Sequence, residues 1–100
     1  MKYKAGDIIK IKTWKDMEKE YGLTTGGNIK CEGHGFVISM EEDLNRICHD
    51  RIVEISEIDE IKNCYRMKDI KWNWADGMIE GLEIIDPKEI INSRFEILDI

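Results

Sequence analysis

A single proline in 100 residues leaves no material for a stiff proline-rich linker, and eight glycines supply turns without a flexible tether. No apolar run approaches the length of a membrane span. The opening Met1-Lys-Tyr-Lys-Ala-Gly-Asp7 has no apolar core of the secretory type, which predicts a cytoplasmic, reduced protein. Cys31, Cys48 and Cys64 are an odd set without paired spacing, so a disulfide framework is not expected. The glycine-containing stretch Thr24-Thr-Gly-Gly-Asn28 through Gly35 lacks the Gly-Lys-Ser/Thr ending of a phosphate loop. It also lacks the strand–helix setting of a dinucleotide fingerprint. Cations are too few and too scattered for duplex nucleic acid: the formal net charge is -6, and residues 51–100 hold 7 basic against 12 acidic side chains.

What is present suits one globular domain. Hydrophobic residues make up 42% and charged residues 36% of the chain, a balance that folds rather than staying disordered. A domain of this length buries roughly two thirds of its unfolded surface, enough for one core without a metal or disulfide.

The central stretch runs from Cys64 to Glu80. Tyr65 and Met67 alternate with Arg66 and Lys68, and Trp72 and Trp74 stand two apart, so an extended backbone puts each pair on one face. Two antiparallel strands joined near Asp69 and ending at an Asp76-Gly77 turn follow from this. Upstream, Ile9-Lys-Ile-Lys-Thr13 alternates as a strand with one buried face. Thr13 caps a helix over Trp14–Tyr21, with Trp14, Met17 and Tyr21 as its apolar stripe and Gly22 as its stop. Leu23–Gly35 is expected to be a mobile surface loop, and Phe36–Ile38 a short strand. Ser39-Met-Glu-Glu42 spells a capping box for a helix reaching Cys48. Val53 and Ile55 mark another half-buried strand. Glu57–Asn63 is a polar connection whose two isoleucines have no evident place. Asp86-Pro87 opens a short helix carrying Ile90 and Ile91, and Phe95–Ile100 a terminal strand. The domain proper is therefore residues 1–83, with 84–100 a helix/strand extension offering a strap or a homo-oligomer contact.

In that order the pieces resemble a group of small SH3-like β-barrel proteins of phages and prophages. The residues that carry the resemblance are Gly6-Asp7-Ile-Ile-Lys-Ile-Lys, the Trp14–Tyr21 helix, Phe36-Val-Ile-Ser-Met40, Arg51-Ile-Val-Glu-Ile, and Tyr65-Arg-Met with Trp72-Asn-Trp74 and Met78-Ile-Glu80. The Thr24–Gly35 loop is larger than in the group, and the segment after Gly81 is additional. The resemblance implies a mainly β (α+β) fold: a small SH3-like antiparallel barrel with two or three short helices, of viral origin and working in the host cytoplasm. The group shares no assigned activity.

Three functional readings remain. The first is a non-enzymatic binding module, for which blocking a host protein in counter-defence is a natural task by analogy. Its partner would meet the acidic second half around Glu57, Asp59 and Glu60. The second sequesters a nucleotide-like small molecule by stacking on Trp72, Trp74, Tyr65 and Trp14, with Arg66, Lys30, His34 and the Asp76 turn supplying polar contacts. The third is a small zinc domain using Cys31, His34, Cys48 and His49, with Cys64 in reserve. No catalytic residue and no cofactor is expected, since no thiol, imidazole or carboxylate pair shows the orienting partner that catalysis requires.

Overall fold

The computed structural model describes residues 1–83. The helix, strand and oligomer contact expected within 84–100 lie outside the described residues. The fold is α+β. Strand β1 (Ile8–Ile11) leads through helix α1 (Trp14–Tyr21), the short strands β2 (Ile29–Cys31) and β3 (His34–Phe36), and helix α2 (Ile38–Ile47). A 3-10 turn at His49–Arg51 then delivers the chain to β4 (Ile52–Asp59), β5 (Cys64–Met67) and β6 (Ile70–Trp74). A second 3-10 turn, Asp76–Met78, precedes β7 (Ile79–Leu82). Five strands form one antiparallel sheet in the order β6-β5-β4-β1-β7, and β2 and β3 form a separate hairpin.

The local chemistry explains most boundaries. Ile9 and Ile11 alternate inward with no exposed surface, as a half-buried strand requires. Thr13 Oγ1 accepts the Asp16 N–H at 3.1 Å, satisfying one of the amide donors left open at the start of α1. Gly22 stops that helix at φ 75°, where a side chain would be strained, and its N–H bonds Glu18 O at 2.8 Å. Met17 fills the core beneath it, while Trp14 packs on Phe36 with ring centroids 5.5 Å apart.

Four expectations need correction. Leu23–Gly35 is not a mobile loop: it carries the β2–β3 hairpin, whose Ile29, Cys31 and Phe36 are wholly buried. Phe36–Ile38 is not one strand, because Phe36 ends β3, Val37 caps and Ile38 begins α2. Ser39 is therefore inside the first turn and not its cap; the Val37 N–H instead faces Met40 Sδ at 3.4 Å. Glu57–Asp59 continue β4, paired with Arg66, Tyr65 and Cys64, so the connection shrinks to Glu60–Asn63.

The sheet is strongly curled. Flat, its β6 and β7 edges would stand about 19 Å apart, four spacings of ~4.8 Å. Trp74 and Ile79 are joined through Ala75 and the Asp76–Met78 turn alone. Even fully extended, those five steps reach at most ~18 Å, and the 3-10 turn within them rises only ~2 Å per residue. Three register shifts, at Lys10/Ile11, Ile55/Glu57 and Tyr65/Met67, provide the bending. No ladder joins β6 to β7 among the described residues, so no closed barrel forms there. The concave side, α1, α2 and the β2–β3 hairpin enclose one core that includes Ile9, Ile11, Met17, Met40, Leu44 and Trp74. No helix among the described residues is long and apolar enough to cross a membrane.

Candidate functional site

Two of the aromatic set, Trp74 on β6 and Tyr65 on β5, point to the inside of the sheet. Trp74 has no exposed surface; its Nε1–H donates to Lys71 O at 3.2 Å, and its ring meets Phe36 edge-on at 6.1 Å. Tyr65 is equally buried. Its hydroxyl donates to Asp76 Oδ1 and accepts the Tyr3 N–H at 3.0 Å, tying the N-terminal segment to the second 3-10 turn. Burial first, and the bond to Asp76 second, push the Tyr65 phenol up to about 12. Trp14 is half-buried on Phe36. The groove of open rings expected from the spacing is thus not formed, because Trp74 and Tyr65 fill the core.

Trp72 is the exception, and its backbone shows why. Met67 pairs with Ile70, but Tyr65 pairs with Trp74, so β6 carries two more residues than β5 across that interval. Trp72 sits in this bulge at φ 91°, a conformation that costs a large side chain energy. The half-buried indole is held from both sides. Its Nε1–H donates to Asp43 Oδ2 of α2 at 2.9 Å, and Lys71 Nζ lies 4.9 Å from the ring centroid. The bonds from Trp72 and Arg46 keep the Asp43 carboxyl below the usual range.

The remaining expected residues are scattered. Arg66 faces outward and pairs with Glu57 at 2.8 Å and Asp59 at 3.7 Å. Lys30 is exposed on β2. His34 donates from Nε2 to Lys62 O at 2.8 Å, linking the β2–β3 hairpin to the β4–β5 turn. The zinc set is not assembled. Cys31 is buried on β2 against Tyr21, Cys48 ends α2, and His49 is 93% exposed beside Asp50, while Cys64 is buried on β5. Among the described residues no three His, Cys, Asp or Glu gather as a metal would require. Burial raises all three thiols above their ordinary value, which holds them protonated and poorly nucleophilic at neutral pH.

The tip of the β4–β5 hairpin gathers the acidic residues expected to meet a partner together with the two isoleucines that the sequence left without a place. Glu57, Ile58, Asp59, Glu60, Ile61 and Arg66 line an open cleft of about 390 Å³. Ile61 stands on its rim 98% exposed. The turn beneath it is fixed: the Lys62 N–H bonds Asp59 Oδ1 at 2.9 Å, and His34 holds the Lys62 carbonyl. That Lys62 N–H is also the main cause of the lowered Asp59 carboxyl. A signal existed in the two isoleucines set among acidic residues, but only the β4–β5 register shows that Ile58 turns in and Ile61 out. The chain matches no protein-family model, no curated protein and no solved structure.

Proposed function

We propose that this protein is a non-enzymatic binding module that docks onto a partner protein through the β4–β5 hairpin tip. The frame we assign to it is SH3-like, a curled sheet whose β6 and β7 edges stay unpaired among the described residues. In its support, β1 lies between β4 and β7, β4-β5-β6 run as a meander, and a short 3-10 turn returns the chain to β1. The phage counter-defence role that the resemblance suggests is the specific form of this reading, with a host protein as the partner.

The observation that carries it is Ile61. Met1, Leu23, Ile38, Ile47 and Leu82 also reach solvent, but each keeps about half of its surface covered (45%, 51%, 53%, 42% and 55% exposed), whereas Ile61 keeps almost none. Burying such a side chain is worth ~1.5–3 kcal/mol, and a rigid hairpin presents it at little entropic cost on binding. Glu57 and Asp59 share Arg66, and Glu60 joins no ion pair among the described residues. The complementary partner therefore has an apolar socket with a basic flank. The nucleotide-sequestering alternative needs exposed rings to stack on, and Trp74 and Tyr65 offer no surface.

The test places a photo-crosslinking side chain at residue 61, and in a control at the exposed Lys15 of α1, in the cells that produce the protein. A discrete crosslinked partner is expected from position 61 alone, and it should be lost when Glu57 and Glu60 are both changed to Lys. Equal crosslinking from both positions, or a partner retained after the charge reversal, would overturn the proposal.

A further inference from the structure

At the end of β4 away from the hairpin tip, an open basin of about 490 Å³ lies between β1, β7 and the end of α2. Lys10 and Glu80 face it from neighbouring strands, Asn45 and Cys48 from the last turn of α2, and His49 and Asp50 from the 3-10 turn that follows.

The charges around it are unusual in their pairing. Lys10 and Glu80 have opposite sign and share the basin, yet they form no ion pair with each other or with any described residue. Arg51 backs the site but is already engaged. Its guanidinium donates to both Glu41 oxygens at 2.8 Å and to the Ile11 and Lys12 carbonyls. Asp50 is likewise taken, by His49 at 3.2 Å, so among the described residues the Lys10 ammonium is left to meet an anionic group and the Glu80 carboxylate a cationic one. A doubly negative phosphorylated ligand would meet Lys10 but leave the Glu80 carboxylate facing it, whereas a small ligand carrying both signs meets both groups.

We propose that this basin binds a small zwitterion of the free α-amino-acid kind, its carboxylate held by Lys10 and the Asn45 amide and its ammonium by Glu80. This site is independent of the hairpin tip. It needs a pocket of fixed shape, and the first turn of that wall is set by two successive left-handed residues, Asp50 at φ 51° and Arg51 at φ 63°.

Cys48 supplies a built-in reporter. It is half-exposed at the basin, whereas Cys31 and Cys64 have no exposed surface, so iodoacetamide should alkylate Cys48 first. Burial raises the Cys48 thiol, so the reaction is run at mildly alkaline pH and followed by intact mass. The probes are a panel of free amino acids, each beside its amide and its N-acetyl form, with acetate and inorganic phosphate as controls. At least one free amino acid should slow alkylation severalfold, and its amide and N-acetyl forms should not. The exposed or half-exposed variants Lys10→Met and Glu80→Gln should each remove that protection, with an unchanged circular dichroism spectrum and an unchanged rate in the absence of probe. The proposal fails if no amino acid protects, if acetate or phosphate protects equally, or if protection survives both substitutions.

Discussion

Gly77 is where a single methyl group tests the packing described above. It lies in the Asp76–Met78 turn, beneath the end of α1 and the β2–β3 hairpin. A Cβ added there would meet Tyr21 Oη at 2.2 Å, Cys31 Sγ at 2.6 Å and Glu32 Oε1 at 3.0 Å. The backbone is not the reason for glycine, because Gly77 is not one of the positive-φ glycines. Two effects of Gly77→Ala therefore oppose each other. Alanine restricts the unfolded chain, which stabilises by ~0.4–1 kcal/mol. Crowding of a filled site costs ~1–3 kcal/mol. The Tyr21 and Glu32 contacts are the far ends of flexible side chains and can swing aside. The Cys31 sulfur cannot, since it sits wholly buried on a strand. Crowding should win, giving a net loss of about 1–2 kcal/mol.

Urea unfolding followed by tryptophan fluorescence reads this directly, as a midpoint lower by roughly 1 M at unchanged slope. The decisive measurement repeats the substitution in a Tyr21→Phe, Cys31→Ala background, which removes the two closest atoms. There the entropic term is left almost alone, and Gly77→Ala should become neutral or slightly stabilising. A coupling of more than ~1 kcal/mol between the sites is expected. The same cost in both backgrounds, or no cost in the wild-type one, would refute the packing argument.

Tyr65 makes stability depend on alkaline pH. Its phenol is raised from 10.0 to about 12 in the fold, so its contribution is complete below pH 10 and is lost as the pH climbs from there towards 12, where the unfolded chain releases a proton that the folded one keeps. The loss should be smaller in Tyr65→Phe, checked by urea unfolding at intervals across that range; identical pH slopes would contradict it. Trp74→Ala should cost ~3–5 kcal/mol as a large core truncation, whereas Trp72→Phe, which removes the bond to Asp43 and part of a half-buried ring, should cost ~1–2 kcal/mol. Thermal melts of both variants distinguish the two positions, and equal losses would count against the assignment of Trp74 to the core and Trp72 to its half-buried edge.

Period and capping chemistry made much of this fold readable in advance. Ile9 and Ile11, the Thr13 cap, the Gly22 stop, the inward Val53 and Ile55, and the turn at Asp69 all follow from contacts within a few residues. The β2–β3 hairpin was hidden because three-residue strands are too short to display a period, and the surrounding glycines read as loop. Trp72 and Trp74 show a different limit. Alternation tells which residues share a face but not which face is inside, and it gives no sign of a two-residue bulge set by the Tyr65–Trp74 register. Ile61 is a third case: its exposure depends on where β4 stops pairing with β5, a long-range property that its neighbours in sequence do not encode.

The long excursion from Lys12 to Arg51, between two strands that lie side by side, concentrates these long-range effects on one side chain. Closing a loop of that length costs ~3 kcal/mol in chain entropy before any contact is made. Arg51 meets that cost at one point: it bonds the carbonyls where the excursion leaves β1 and the Glu41 carboxylate in α2, while its own backbone immediately precedes β4. The Arg51 and Glu41 side chains are only 12% and 17% exposed, so the pair is little screened. A planar fork of five donors can satisfy all of these acceptors together, and a lysine cannot. The left-handed backbone at Asp50 and Arg51 costs about 1–2 kcal/mol per residue, and the geometry is kept because it aims the guanidinium at acceptors on both sides. Two consequences follow from the same arrangement. With Arg51 engaged, Lys10 is the cation left for the basin beside it. And because β4 starts at the next residue and runs to the hairpin, Arg51 anchors the strand at one end, while the shift at Ile55/Glu57 sets the β4–β5 pairing from which Ile61 emerges at the other.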